Sequence, residues 1–246
     1  MKAIVLAAGY ATRLYPLTLK KAKPLLPVKG KAIIDYTIDG LSGISSLDEI
    51  YVVTNSKFYK DFCDWQESGK FQKNITIVND NTTSDADKLG AIGDINLVIQ
   101  QMEIDDDLIV VAGDNLFTFE LKSFAEYFKK SGLSIACYKY PYKEELFNYG
   151  IVEIDKSNKV VSFQEKPKNP KSDLVSLCLY GLPKAKLGII EAYLKSGHNK
   201  DAPGYYIEWL VSKEVVHCFT FENKWFDIGT HESYERANKE YNGIQK

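Results

Sequence analysis

Five charged residues stand where a site that handles anions would need them: Arg13 and Lys23 in one early segment, Lys166 later, and the carboxylates Asp114 and Asp227. The first two belong to the run Leu6-Ala7-Ala8-Gly9-Tyr10-Ala11-Thr12-Arg13-Leu14-Tyr15-Pro16-Leu17-Thr18, followed by Lys23-Pro24-Leu25-Leu26-Pro27. An apolar stretch over 3–7 predicts a short buried strand, so the run is a loop leaving the strand's C-terminal end, where open α/β sheets bind ligands. Ala7, Ala8, Gly9 and Ala11 are small enough to let backbone approach a ligand, and successive N–H groups in such a turn make an anion-binding concavity. Arg13 adds a rigid fork and Lys23 a point charge, both suited to phosphate oxygens. The loop reads as a phosphate cradle. It contains neither G-x-x-x-x-G-K-[ST] nor G-x-G-x-x-G, and no kinase signature set accompanies it.

The run is similar to L-A-A-G-x-G-T-R-L-x-P-L-T…K-P-L-L-P, the signature of the sugar-1-phosphate nucleotidylyltransferases, or NDP-sugar pyrophosphorylases. It departs from it at Ala11, where the family has a second glycine. The resemblance continues along the chain. Gly113-Asp114-Asn115 resembles the family's G-D-N, Tyr149-Gly150-Ile151-Val152-Glu153 with Glu165-Lys166-Pro167 resembles its Y-G-V-V-E and E-K-P pair, and Trp225-Phe226-Asp227-Ile228-Gly229-Thr230 resembles W-x-D-x-G-T. By that resemblance Arg13, Lys23 and Lys166 are catalytic cations, Asp114 and Asp227 hold Mg²⁺, and Leu6, Ala8, Gly9, Asn79 and Gly113 meet the nucleotide. It further implies that Glu165 accepts hydrogen bonds from sugar hydroxyls, that Lys166 neutralises the sugar phosphate, and that Gly150 offers backbone to the sugar. Asn79 would face the base, since its amide supplies the donor and acceptor that a pyrimidine edge requires. The loop after it lacks the glutamine pattern of thymidylyltransferases, which leaves the base open. Glu208 is the nearest match to a glutamate of the family's sugar region.

The elements that must position these residues alternate. Helical spacing at Ile33, Ile34, Thr37, Ile38 and Leu41, strands over 49–54 and 75–78, a helix over 57–66, and a helix carrying Leu89, Ile92, Ile95, Val98, Ile99 and Met102 predict βα units. A buried strand over 108–112 then delivers Asp114 to the ligand edge. A helix over 121–131 and a strand over 134–140 follow, and a hairpin over 150–165 is predicted to cover that edge. A strand over 174–182, a helix over 186–196, a short helix near 207–213 and a C-terminal helix over 232–241, capped by Thr230, complete the chain. The expected class is α/β: a Rossmann-like, doubly wound, mainly parallel (mixed) sheet with an inserted sugar-binding β-hairpin, of the GT-A-like nucleotidyltransferase type. One domain over 1–246 is expected, with a nucleotide-binding part (1–140), a sugar-phosphate-binding part (141–230) and a C-terminal helix (231–246).

Composition narrows the function. The 246 residues carry a formal net charge of −2, which argues against a nucleic-acid binder and confines any basic patch to the site. No apolar run approaches a bilayer span and the start lacks a signal-peptide plan, so a cytoplasmic protein without membrane contact is expected. A homo-oligomer is compatible with the sequence. Cys63, Cys137, Cys178 and Cys218, and His198, His217 and His231, are too scattered to signal zinc, a disulfide framework or a Ser/His or Cys/His nucleophile.

The reaction implied is attack of a sugar 1-phosphate oxygen on the α-phosphorus of a nucleoside triphosphate, releasing pyrophosphate. The nucleophile is already an anion and requires no general base; it requires positive charge to hold two anions in line. Two rival readings are cytidylyl transfer to a phosphorylated alcohol such as phosphocholine, and a non-catalytic nucleotide-sugar sensor.

Overall fold

A computed structural model of the chain describes residues 1–222 and 224–244. Asn223 and the last two positions of the expected C-terminal segment, Gln245 and Lys246, lie outside the described residues.

The elements in chain order are β1 (Lys2–Leu6), β2 (Pro27–Val28), β3 (Lys31–Ala32), α1 (Ile33–Ser42), β4 (Glu49–Thr54), α2 (Tyr59–Ser68), β5 (Asn74–Asn79), α3 (Ala91–Gln101), β6 (Leu108–Ala112), β7 (Asn115–Phe117), α4 (Leu121–Ser131), β8 (Ser134–Lys139), β9 (Gly150–Ile154), β10 (Val160–Glu165), β11 (Leu174–Leu182), α5 (Gly188–Lys195), α6 (Pro203–Val211), β12 (His217–Phe221), β13 (Trp225–Asp227) and α7 (His231–Glu240). The central sheet runs β10-β9-β11-β6-β1-β4-β5, with β8 pairing β11 and β12. One half, β6-β1-β4-β5, is parallel, as the βα alternation demands. Beyond β6 the sheet turns antiparallel at β11, β9 and β10.

Side-chain alternation divides the core between the two faces. On one face Val5, Val52, Ile109 and Val111 pack with Ile34, Ile38 and Leu41 of α1, Phe62 of α2, and Phe124 and Phe128 of α4. On the other, Ile4, Val53 and Val110 pack with Ile92, Ile95, Val98 and Ile99 of α3, Ile190 of α5, and Ile207 and Leu210 of α6. Each such side chain, fully buried, contributes on the order of 1.5–3 kcal/mol. A third cluster, with Leu14, Leu26, Val28, Ile33, Leu116, Phe226, Ile228, Ala237 and Tyr241, lies under the early loop and the C-terminal segment.

Three elements depart from the sequence expectation. The 150–165 hairpin does not cover the sheet; it extends it, because Val175 of β11 pairs with Ile151. Strand β12, unforeseen, pairs parallel with β8, and its apolar alternation is too short to stand out before the fold supplies a partner. The small β7–β13 ladder, also unforeseen, pairs Asp227 with Asn115 and Trp225 with Phe117. Thr230 does cap α7: its hydroxyl accepts from Ser233 N at 3.2 Å, while Ser233 Oγ accepts from Thr230 N at 3.0 Å, a reciprocal capping box.

Candidate active site

The loop after β1 is fixed by its neighbour strand. Ala7 N donates to Val53 O at 2.9 Å, and Asn55 Nδ2 donates to Ala8 O at 2.8 Å. Ala11 adopts φ 47°, ψ 44°, a left-handed conformation that costs an L-residue with a Cβ about 1–2 kcal/mol. This backbone, held by Thr18 Oγ1 donating to Ala11 O at 2.8 Å, explains why a glycine belongs at that point of the motif. Tyr10 is buried and its hydroxyl meets Thr82 Oγ1 at 3.1 Å, tying this loop to the one after β5.

A cavity of about 350 Å³ opens over the strand ends, and Leu6, Ala8, Gly9, Asp80, Asp94, Asp114, Tyr149, Gly150, Glu165 and Asp227 are among the residues that line it. Asp114, in the turn just before β7, and Asp227, the last residue of β13, reach it at one end of the β7–β13 ladder. Residues two apart on a strand share a face, so Trp225 and Asp227 both look toward Asn115. Trp225 Nε1 donates to Asn115 Oδ1 at 2.7 Å, and Asn115 Nδ2 donates to Asp114 Oδ1 at 3.1 Å. The W-x-D and G-D-N motifs are therefore one assembly: the tryptophan orients the asparagine and the asparagine orients Asp114.

Lys23 enters from the opposite side. Its ammonium pairs with Asp114 and donates to Ile228 O at 2.6 Å. Burial and the charge of Asp114 push the Asp227 carboxyl above its ordinary value, while Lys23, Arg13 and Lys166 draw it down. All three sequence-predicted cations thus act on one carboxylate. Glu165 is nearly enclosed, its side chain 7% exposed, with Lys166 Nζ 3.9 Å away. Burial raises its pKa, Lys166 opposes this, and Glu208 adds to it.

The other expected residues fall differently. Gly113 does not line the cavity; its N–H donates to Leu6 O at 2.9 Å, and a Cβ there would meet Val5 Cγ1 at 3.0 Å, so it lets β6 close on β1 while Asp114 faces the space. Asn79 is turned away, its side-chain oxygen accepting from Ser56 Oγ at 3.1 Å and from Asn81 N at 2.9 Å. Asp80, one residue further, lines the cavity instead. Glu208 is exposed on α6 and does not line it. Asp94 was missed altogether, although an acidic residue inside the apolar stripe Ile92, Ile95, Val98 and Ile99 is a legible signal.

Asp114 and Asp227 suit a hard cation. Magnesium is ordinarily held by one or two carboxylates, with water and substrate phosphates completing its shell, and mutual repulsion between these two is what a cation would relieve. Among the described residues no group of three or more His, Cys, Asp or Glu is placed to hold a metal ion by itself.

A doubly wound sheet with a phosphate-type loop after its first strand and a carboxylate pair at its ligand edge defines an α/β nucleotidyltransferase-type fold. Solved structures share it: one provisionally named glucose-1-phosphate thymidylyltransferase from Bacillus anthracis superposes with a TM-score of 0.85 at 24% identity over 100% of this chain and 98% of that one. A UDP-glucose pyrophosphorylase complexed with UDP-glucose gives a TM-score of 0.80 at 18% identity over 97% of each chain. The nucleotidyl transferase family model matches residues 2–243, and the chain belongs to that family. Curated relatives include a protein of Sulfolobus acidocaldarius provisionally named mannose-1-phosphate guanyltransferase, 34% identical over 240 residues, which are 98% of this chain and 63% of the relative. Another is a glucose-1-phosphate adenylyltransferase of Fervidobacterium nodosum, 31% identical over 252 residues covering 96% of this chain and 60% of the relative. The chain thus spans about three-fifths of the length of these relatives. No helix among the described residues is long and apolar enough to cross a membrane.

Proposed function

We propose that this chain transfers a nucleotidyl group from a nucleoside triphosphate to a sugar 1-phosphate. In this reading the sugar-phosphate oxygen forms a bond to the α-phosphorus as the bond between the α-phosphorus and the bridging oxygen breaks, and pyrophosphate leaves with that oxygen and its electron pair. The observation that carries the reading is that Asp114 and Asp227 line one cavity with the Gly9 loop, Gly150 and Glu165, with Lys23 paired to Asp114 beside them.

The backbone of Ala8 and Gly9 receives the triphosphate, and Arg13 holds its oxygens as a fork. Lys166 faces the incoming phosphate, and the enclosed Glu165 accepts from the sugar's hydroxyls beside Gly150. Asp114 and Asp227 would hold Mg²⁺, which supplies Lewis-acid neutralisation of the charge on the phosphates. Lys23 keeps the carboxylates apart from one another's charge and completes the positive field in line with the transfer. With an anionic nucleophile, positioning and charge supply the acceleration, and no proton need be removed.

The test is pyrophosphate release from a matrix of NTPs, dTTP included, against several sugar 1-phosphates and phosphocholine, with Mg²⁺ present or chelated. Release is expected only with an NTP, a sugar 1-phosphate and the metal together, and Lys23→Ala should lower kcat by roughly 10²- to 10³-fold. Silence across the matrix with nucleotide binding retained, or full activity in Lys23→Ala, overturns the assignment.

A further inference from the structure

A second, smaller cavity of about 90 Å³ lies behind the wall of the first. Tyr138, Tyr140, Tyr142 and Trp225 give it flat aromatic faces, and Lys224, Arg236 and Glu240 give it charge. Trp225 lines both cavities, so one side chain is common to their walls. Tyr140 forms the inner side, 4% exposed, whereas Tyr142 is 42% exposed and leaves the other side open. Lys224 and Glu240 are exposed and Arg236 is half-buried, which sets the charge at the mouth.

Arg236 is the group that calls for a ligand. Its guanidinium lies 5.4 Å from the centre of the Tyr142 ring, and among the described residues no carboxylate oxygen comes within 4.0 Å of it. The Tyr140 hydroxyl beside it donates to Glu145 and offers one oxygen to a fork of five N–H donors. Glu240, one turn further along α7 and lining the same cavity, does not pair with it although that spacing permits a pair. The fork is left for an acceptor that the chain does not supply.

We propose that this cavity is a second binding site, taking a small monoanionic carboxylate with a flat apolar body, and that its occupation steadies the active-site wall. The carboxylate meets the Arg236 fork in a two-bond geometry, and the flat body enters among the rings, which favour offset and edge contacts. Two cations against one carboxylate leave a single positive charge at the mouth, matched by a monoanion and exceeded by a doubly charged phosphate. The volume, 90 Å³ against 350 Å³ for the first cavity, suits a single ring with its carboxylate at the mouth and is too small for a nucleotide. Two routes lead from it to the active site. Trp225 Nε1 holds Asn115, which holds Asp114, and the Tyr140 hydroxyl accepts at 3.3 Å from that of Tyr149, a residue of the first cavity. A ligand packed against Trp225 and Tyr140 as they stand here favours the state in which Asp114 is oriented, because binding shifts the population toward the form it fits. The site itself does not depend on the nucleotidyl-transfer reading; its benefit to turnover does.

The experiment is titration calorimetry of the full chain with benzoate as the probe. Acetate supplies the carboxylate alone, benzyl alcohol the ring alone and orthophosphate the charge alone, and benzoate should bind at least about 10-fold more tightly than each. Arg236→Gln should lower benzoate affinity by roughly 10- to 100-fold, the range for hydrogen bonds to a charged group. Arg236→Lys, which keeps the charge without the fork, should fall between. Both variants are checked for an unchanged circular dichroism spectrum. Hydrogen exchange of the peptides carrying Asn115 and Trp225 should slow about fivefold with benzoate in the parent and stay unmoved in Arg236→Gln. Benzoate bound no better than acetate, or undiminished in Arg236→Gln, overturns the site. Binding with exchange unmoved in the parent overturns the link to the wall. Neither readout needs turnover, so silence of pyrophosphate release for every substrate pair, with benzoate bound, sinks the transfer and leaves the site standing.

Discussion

Gly204→Ala is a perturbation that moves one functional group and little else. Gly204 lies in the first turn of α6, directly behind the Glu165 carboxyl. A Cβ there would overlap Glu165 Oε2 and Cδ, far inside the 3.0 Å that real contacts respect, and would lie 3.1 Å from Oε1. The carboxyl must therefore retreat by more than about 1 Å, a misplacement that can cost roughly 10²-fold when the group positions a substrate. Gly150 also stands close to the same oxygen, since a Cβ there would meet Glu165 Oε2 at 3.0 Å. Because the clashing atoms are the end of a flexible side chain, the fold absorbs the change. Alanine also regains up to about 1 kcal/mol of helix propensity over glycine, so the melting temperature should stay within a few degrees. The assay is kcat/KM for the sugar 1-phosphate at saturating nucleotide, with nucleotide affinity measured separately. The expected result is a fall of about 30- to 100-fold in kcat/KM for the sugar phosphate, with nucleotide affinity unchanged. A variant with normal stability and kcat/KM within threefold of the parent would refute the placement of Glu165 at the sugar.

Three further outcomes follow from the same structure. Ala11→Gly removes a left-handed alanine at φ 47° but frees the unfolded chain, and the balance should stabilise by about 0.5–1 kcal/mol in chemical denaturation, with activity kept; destabilisation would contradict the strain. Burial, then Asp80 and Asp201, raise Asp94 to about 8, against the opposing charge of Lys200. Its proton is retained on folding between pH 4 and 8 while the unfolded chain loses it, so stability should fall as pH rises through that window, by up to about 1.4 kcal/mol per unit, and parallel denaturant midpoints for the parent and Asp94→Asn from pH 5 to 8 would sink the assignment. Tyr241→Phe deletes the hydrogen bond from its hydroxyl to Phe117 O at 3.1 Å, and a loss of about 1 kcal/mol is expected, measurable as a shift in denaturant midpoint; an unchanged midpoint would show that bond to be energetically idle.

The parallel half of the sheet was legible because β1, β4 and β6 are short apolar runs buried along most of their length, and α1 and α3 carry a clear apolar period. The antiparallel half was less so. Strand β12, at the sheet's margin, mixes exposed and buried residues, and the three-residue β7 and β13 carry no period at all until Asp227 is set opposite Asn115. Within the site, the motif residues that bear charge were readable by type and order, since the chemistry of phosphate restricts what can stand there. The placement of Asp80 was not. Asn79 and Asp80 are neighbours at a strand end, and which of them turns inward is decided by Asp80 N donating to Thr54 O at 2.8 Å and by the turn that Asn79 closes onto Asn81, neither of which a single sequence displays.

The same contrast explains how charged residues so distant in sequence become one site. An electrostatic site works only if its groups are fixed before the ligand arrives, so that reaction does not wait on reorganisation. Here each group is fixed by a different segment. Asp114 is held through Asn115 by Trp225, Asp227 by its register on β7, and Lys23 by a carbonyl, that of Ile228, 205 residues away in the chain. The third apolar cluster supplies the pressure that keeps these segments together, since Leu14 and Leu26 of the early loop pack in it with Phe226 and Ile228. Lys23 therefore does two things with one ammonium: it neutralises Asp114 and it latches the phosphate loop to the strand that carries Asp227. That is why its position in the chain, beside Pro24, matters as much as its charge, and why an arginine there is not equivalent: it spreads its donors over a larger planar group, whereas Lys23 meets the Ile228 carbonyl and Asp114 from one nitrogen.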